Sequence, residues 1–290
     1  MGSLAVARML RSLGLAATAG GVAWERFPVD PYPGPRRLAD VVGGRRLGEH
    51  ALLVDPAAGA TTPEGAHFCE SRVAAFVGEA TVLVDVSDGA TGAADGITAA
   101  ATELGCDLLA LVDIGGDAIA AGDEPGLASP LCDAVMIAAG LDSPGLGPPV
   151  LGVLGAGCDG ELRPAEVLER VAVLAAAGAG LGAFGVADEA AAEIEAAAEV
   201  AVTEASLMVA RCARGAIGAT EIRGGRRTVE LGPIGALCFL FDLEAAAREL
   251  PLVRAVAGSE SISGARDGLA QMGIRTELDY ERERAADGRI

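Results

Sequence analysis

Four apolar runs in this chain end on carboxylates set beside glycine or a second charge: "GGVAWERF", "VLVDVSDGATG", "ALVDIGGDAIAAGDE" and "GVLGAGCDGE". The residues concerned are Glu25 with Arg26, Asp85 with Asp88, Asp113 with Asp117, and Asp159 with Glu161. Carboxylates so placed can hold a divalent cation, grip ribose hydroxyls, or move a proton as general acid or base. The stretch "LVDIGGDAIAAGDEPGLASPLCDA" crowds Asp113, Asp117 and Glu124 onto a glycine-rich turn where like charges repel. A cation or a hydroxyl-rich ligand would offset that repulsion, and glycine would let backbone approach it closely. We therefore expect Asp113, Asp117 and Glu124 to hold magnesium or manganese, with Asp85 and Asp159 as the acid–base carboxylates. Any one of these acids is more often a turn or cap residue. It is four strand ends behaving alike that favours a shared cleft at one rim of a sheet.

An anionic small molecule is the matching ligand. Gly115 and Gly116 can form an anion nest before a helical turn, although Asp117 and Glu124 would repel a bare phosphate unless a metal stood between them. "IRGGRRTVE" places Arg223, Arg226 and Arg227 around a Gly-Gly turn, either as an anion clamp or as an exposed hairpin. Glu25 and Arg26 complete the expected ligand-binding set. The proline-rich "AWERFPVDPYPGPRR", with Trp24 and Tyr32, reads equally as a ligand wall or as a packing loop. "FCESR" and "VTEAS" read as helix caps, and Ser129 with Pro130 as the start of a helix.

Composition removes several alternatives. All 22 cationic residues are arginine, so no lysine can serve a P-loop, form a Schiff base or hold pyridoxal phosphate. A net charge of −19 argues against binding nucleic acid or an anionic membrane. The six cysteines, at 69, 106, 132, 158, 212 and 238, lack zinc-knuckle or redox spacing, so we expect reduced thiols in the cytoplasm. His50 and His67 lie near no nucleophile-elbow motif, and no apolar span of about 18 residues appears. Self-association into a homo-oligomer stays open.

The elements that would position these residues alternate between strand and helix. We read a helix from Leu4 to Leu13, a strand from Leu15 to Ala23, and a wholly apolar strand from Ala80 to Val86. Further on come a helix from Ala93 to Leu104, the strand "DLLALVD", a helix from Ser129 to Gly140, and the strand "PVLGVLGAG". Pro164 opens another helix, and the alanine-rich stretch beyond Ala187 is a long helix broken near Thr203. The last third adds one or two strands and two helices. This alternation predicts an α/β, Rossmann-like three-layer fold with a mostly parallel sheet and helices on both faces. One domain spanning residues 1–290 is expected, with a weak sub-domain boundary near 178.

Taken together, "GGVAWERFPVDPYPGPR", "CESRVA", "VDIGGDAIAAGDEPGLASPLCDAVM", "GAGCDGEL", "TEAS", "IRGGRRTVEL" and "GIRTELDYERE" resemble the prokaryotic family called domain of unknown function 1152, in order and over essentially the whole chain. The resemblance implies a Rossmann-like fold and carries no established activity. It also implies a first strand and a glycine-rich loop before the helix at Leu4, which would then lie upstream of residue 1. The Gly-Gly-Asp loop is loosely similar to that of D-glutamate cyclase-type proteins. The expected function is an enzyme acting on a nucleotide or phosphorylated small metabolite, by hydrolysis, group transfer or lyase chemistry. A nucleotide or NAD is the expected organic ligand, although no His or Tyr is placed for hydride transfer. The alternatives are a non-catalytic nucleotide sensor or assembly subunit, a lyase or cyclase on an amino acid, and a structural remnant.

Overall fold

The computed structural model describes residues 1–288. Local sequence explains most element boundaries. Thr81–Val84 is buried at all four positions, as a strand inside a sheet should be. Pro164 takes the first turn of the helix Pro164–Ala176, where its missing N–H costs nothing. Gly105, at φ +65°, ends the helix Gly89–Leu104 in the left-handed conformation that glycine adopts most cheaply. The alanine-rich stretch breaks at Thr203, between Asp188–Ala201 and Glu204–Ala213.

The chain forms two compact units, each assembled from separate segments. The first comprises Met1–Ala17, Leu109–Leu127 and Pro148–Leu252. Its four-stranded sheet runs in the order Ala110–Ile114, Val150–Leu154, Leu237–Asp242, Gly180–Gly185. Only the first two of these strands are parallel; Leu237–Asp242 is antiparallel to both its neighbours. A separate hairpin joins Gly218–Ile222 to Arg227–Leu231. The core of this unit packs Val6, Leu154, Ile194, Met208, Val209 and Val229, together with Cys158, Cys212 and Cys238.

The second unit comprises Thr18–Leu108, Ala128–Gly147 and Val253–Ile290. Its sheet runs Gly20–Val22, Thr81–Val84, Ala51–Val54, Arg45–Arg46, and again only the first pair is parallel. The helices Gly89–Leu104 and Pro130–Leu141 pack against one another, and Phe68, Leu38, Leu52 and Leu83 anchor a core of this unit.

The fold is thus α/β with mixed sheets, and the mostly parallel sheet expected from the alternation is not formed. The physical reason is that apolar periodicity locates strands but not their direction. The unanticipated Ala51–Val54 and the returning Leu237–Asp242 both enter antiparallel. The expected boundary at 178 falls inside the first unit, and of the strand expected from Leu15 to Ala23 only Gly20–Val22 pairs. The last third holds more helix than expected: Leu243–Ala247, Pro251–Val256, Ile262–Gln271 and Glu277–Ala286.

Candidate functional site

In the first unit Asp113 sits opposite Val153 and Ile114 opposite Leu154, in parallel register. The loops after these two strands therefore leave the same edge of the sheet. They are stitched together: Gly115 N–H donates to Leu154 O at 3.0 Å, and Gly157 N–H to Gly115 O at 2.7 Å. A Cβ at Gly115, where φ is +124°, would stand 2.3 Å from Asp159 Cγ. Only glycine permits both that backbone conformation and that approach.

This packing brings together Asp117, at the start of the turn Asp117–Ile119, with Asp159 and Glu161. Each offers a carboxylate oxygen within 4.8 Å of the other two, and all three side chains are buried. The hairpin supplies the opposing charge. Arg227 Nη1 lies 3.2 Å and Arg223 Nη1 3.7 Å from Glu161 Oε1. Arg223 is held at φ +54° while its N–H donates to both carboxylate oxygens of Glu204, at 2.9 and 3.0 Å. Burial, then the charge of Glu161, push the Asp159 carboxyl up to about 6, against the pull of the Glu161 N–H and the two arginines. Arg227 Nη1 is a buried donor that makes no hydrogen bond, despite its closeness to Glu161.

Asp113, also expected as a metal ligand, offers a carboxylate oxygen within 4.8 Å of one from Asp117, while Glu124 and Arg226 serve local structure. Asp113 Oδ2 accepts from Gly116 N–H at 2.8 Å. With Gly115 N–H given to Leu154, neither glycine presents a free N–H, so the anion nest is not formed. Glu124 closes its own turn, accepting from Ala121 and Gly122 N–H at 2.7 and 2.8 Å. It therefore does not join the carboxylate cluster, because its loop spends the charge on two backbone donors. Arg226 turns back, its Nε donating to Arg223 O at 2.8 Å.

Glu25, Arg26 and Asp85 belong to the second unit and its own sheet. The expected convergence of all the strand ends on one sheet rim is thereby corrected: the four strands divide between two sheets. Asp85 accepts from Leu38 and Ser87 N–H, both at 2.8 Å. Asp88 takes Arg37 at 2.7 Å and His50 Nε2 at 3.1 Å, and the Arg37 hydrogen bond holds its carboxyl below the usual range. Glu25 accepts from Cys69 N–H, and burial raises its carboxyl above the usual range. Arg26 is exposed. The aromatic loop is pinned down: Trp24 Nε1 and Gly34 N–H donate to Glu281 at 3.0 and 2.8 Å, and buried Arg36 pairs with Asp30 at 2.7 Å. Ser129 precedes the helix Pro130–Leu141 as expected, and Glu277 accepts from its Leu131 and Cys132 N–H groups at 3.1 and 2.7 Å.

Two residues matter more than sequence reasoning gave them. Glu161 is the point on which the arginines meet the cluster, and its signal was the acid–Gly–acid spacing of "CDGE". Glu70, read as a cap, is instead buried against the first strand, where a Cβ at Gly21 would lie 1.8 Å from its Oε1. Burial, then the charge of Glu25, push the Glu70 carboxyl up to about 7.

Among the described residues no helix is long and apolar enough to cross a membrane. No curated protein and no solved structure matches the chain. The profile of one family matches residues 1–285, and the chain belongs to that family, described as "Protein of unknown function (DUF1152)".

Proposed function

We propose that the first unit carries an enzymatic site for a nucleotide or phosphorylated small metabolite, with Asp117, Asp159 and Glu161 holding a magnesium or manganese ion. The observation that carries this reading is the gathering of three buried carboxylates with two arginines at the paired strand ends. Taking charges of one sign out of water at this spacing is unfavourable unless a cation compensates them, and a divalent ion would add to what Arg223 and Arg227 supply at Glu161. Hard oxygen ligands on short loops suit magnesium or manganese better than zinc or copper. A bound divalent ion would polarise a phosphoryl oxygen and lower the pKa of a bound water.

The chain's own groups then divide the remaining work. Arg227 Nη1, buried and 3.2 Å from Glu161 Oε1 without a hydrogen bond of good geometry, would take an oxygen of an anionic ligand. Arg223, oriented by Glu204, would add a second cation on that side. Asp159, with its carboxyl near neutrality, suits a ligand or proton acceptor that loses its proton as the site fills. Hydrolysis, group transfer and lyase chemistry all fit this arrangement. The singly spaced cysteines support a cytoplasmic location.

Thermal-shift measurements with nucleotides, NAD and sugar phosphates, each with and without magnesium or manganese, test this reading. The expected result is stabilisation that requires the metal, about 2.7 kcal/mol at a hundredfold excess over Kd. Metal-independent stabilisation would favour a sensor. No stabilisation by any ligand, with or without metal, would overturn the site.

A further inference from the structure

We propose that Cys158 and Cys212 are the two halves of a reversible disulfide. Cys158 lies in the turn that leads into Asp159, and Cys212 lies in the helix Glu204–Ala213. The two sulfurs lie side by side, both within 3.0 Å of one point beside Gly235. Both converge on Gly235, where an added Cβ would stand 2.6 Å from Cys212 Sγ and 3.0 Å from Cys158 Sγ. Cys158 Sγ also faces Gly235 O at 3.7 Å. The absent side chain at Gly235 is thus what leaves room for the sulfur pair, and neither sulfur is in a disulfide. Cys238 shares the same core but packs against Gly152.

The chemistry is a two-electron oxidation by a peroxide. One thiol attacks an oxygen of hydrogen peroxide, giving a sulfenic acid and releasing water. The second thiol then displaces hydroxide from that sulfur, which leaves as a second water as the S–S bond forms. Two thiols and one peroxide therefore give one disulfide and two waters, and a dithiol reductant reverses the change. The cross-link would join the turn that carries Asp159 and Glu161 to the helix whose first residue, Glu204, fixes the backbone of Arg223.

The test treats the full chain with hydrogen peroxide, counts free thiols after denaturation, and maps linkages by mass spectrometry. Cleavage at arginine and before aspartate places Cys158 and Cys212 on separate peptides, apart from the other four cysteines. Cys106→Ser removes an exposed thiol that would otherwise cross-link between molecules. The expected result is loss of two thiols together, with the Cys158 and Cys212 peptides joined and both thiols restored by dithiothreitol. Cys212→Ser should abolish the link, and because the wild-type map stands alone, a poorly folding variant does not blunt the test. Linkage through other cysteines, or Cys158 and Cys212 staying free or oxidising singly, would overturn the proposal and leave the pair as core packing.

Discussion

In both units a strand end is followed by acids and glycine, yet the two regions put the charge to different use. After Thr81–Val84, Asp85 binds two backbone N–H groups and Asp88 is held by Arg37 and His50. After Ala110–Ile114 and Val150–Leu154, Asp117, Asp159 and Glu161 lie against one another, with Arg223 and Arg227 beside Glu161. The first arrangement is self-contained and stabilises a fold. The second gathers three buried acids within 4.8 Å of one another, and that is the arrangement we propose as a ligand site. What separates the two is the gathering of acids from two loops, since Asp159, like Asp85, also accepts an N–H from its own turn.

The largest expected effect sharpens the comparison on the ligand side. Gly115→Ala combines a disfavoured φ with a Cβ set 2.3 Å from Asp159, and should destabilise the protein by about 3 kcal/mol, read by denaturant unfolding. A loss below about 1 kcal/mol would mean that the two loops are not locked together. On the self-contained side, Asp85→Ala leaves the Leu38 and Ser87 N–H groups without their acceptor. It should cost about 2 kcal/mol while leaving ligand-induced stabilisation unchanged.

A third effect depends on pH. Because the folded-state pKa of Glu70 is raised to about 7, its protonated form contributes stability that is complete below the ordinary carboxylate range and lost as pH rises through 7. Glu70→Gln, which cannot ionise, should therefore gain on the wild type by up to about 3 kcal/mol between pH 5 and pH 8. Equal pH slopes would show that Glu70 carries no raised pKa. The smallest effect belongs to Glu124→Ala, which opens one turn at a cost of about 1 kcal/mol. It should leave manganese affinity unchanged, and a tenfold loss would instead restore Glu124 as a ligand.

Much of the helical structure was legible, because Pro164, Gly105 and Thr203 act through local sterics and capping. Strand positions were legible too, since "ATVLVDV" and "DLLALVD" are short apolar runs bounded by polar residues. Sheet membership was not. Whether Thr81–Val84 and Ala110–Ile114 share a sheet depends on contacts far apart in sequence that no period encodes. The same limit explains the site. Asp117 and Asp159 were visible as acids beside glycine, but nothing local distinguishes Asp159, pressed against Gly115, from Glu124, folded onto its own turn. Glu161 gained its place through Asp117 and through Arg223 and Arg227, all distant from it in sequence.

The central claim is that Asp117, Asp159 and Glu161 form one cation site, and manganese titration followed by electron paramagnetic resonance tests it most directly. The account predicts saturable binding to the wild type, affinity at least about tenfold weaker in Asp117→Asn and Glu161→Gln, the loss of one ligand being worth about 1.4 kcal/mol or more, and no change in Asp85→Asn. Equal affinity in all four proteins, or no binding to the wild type, would contradict it.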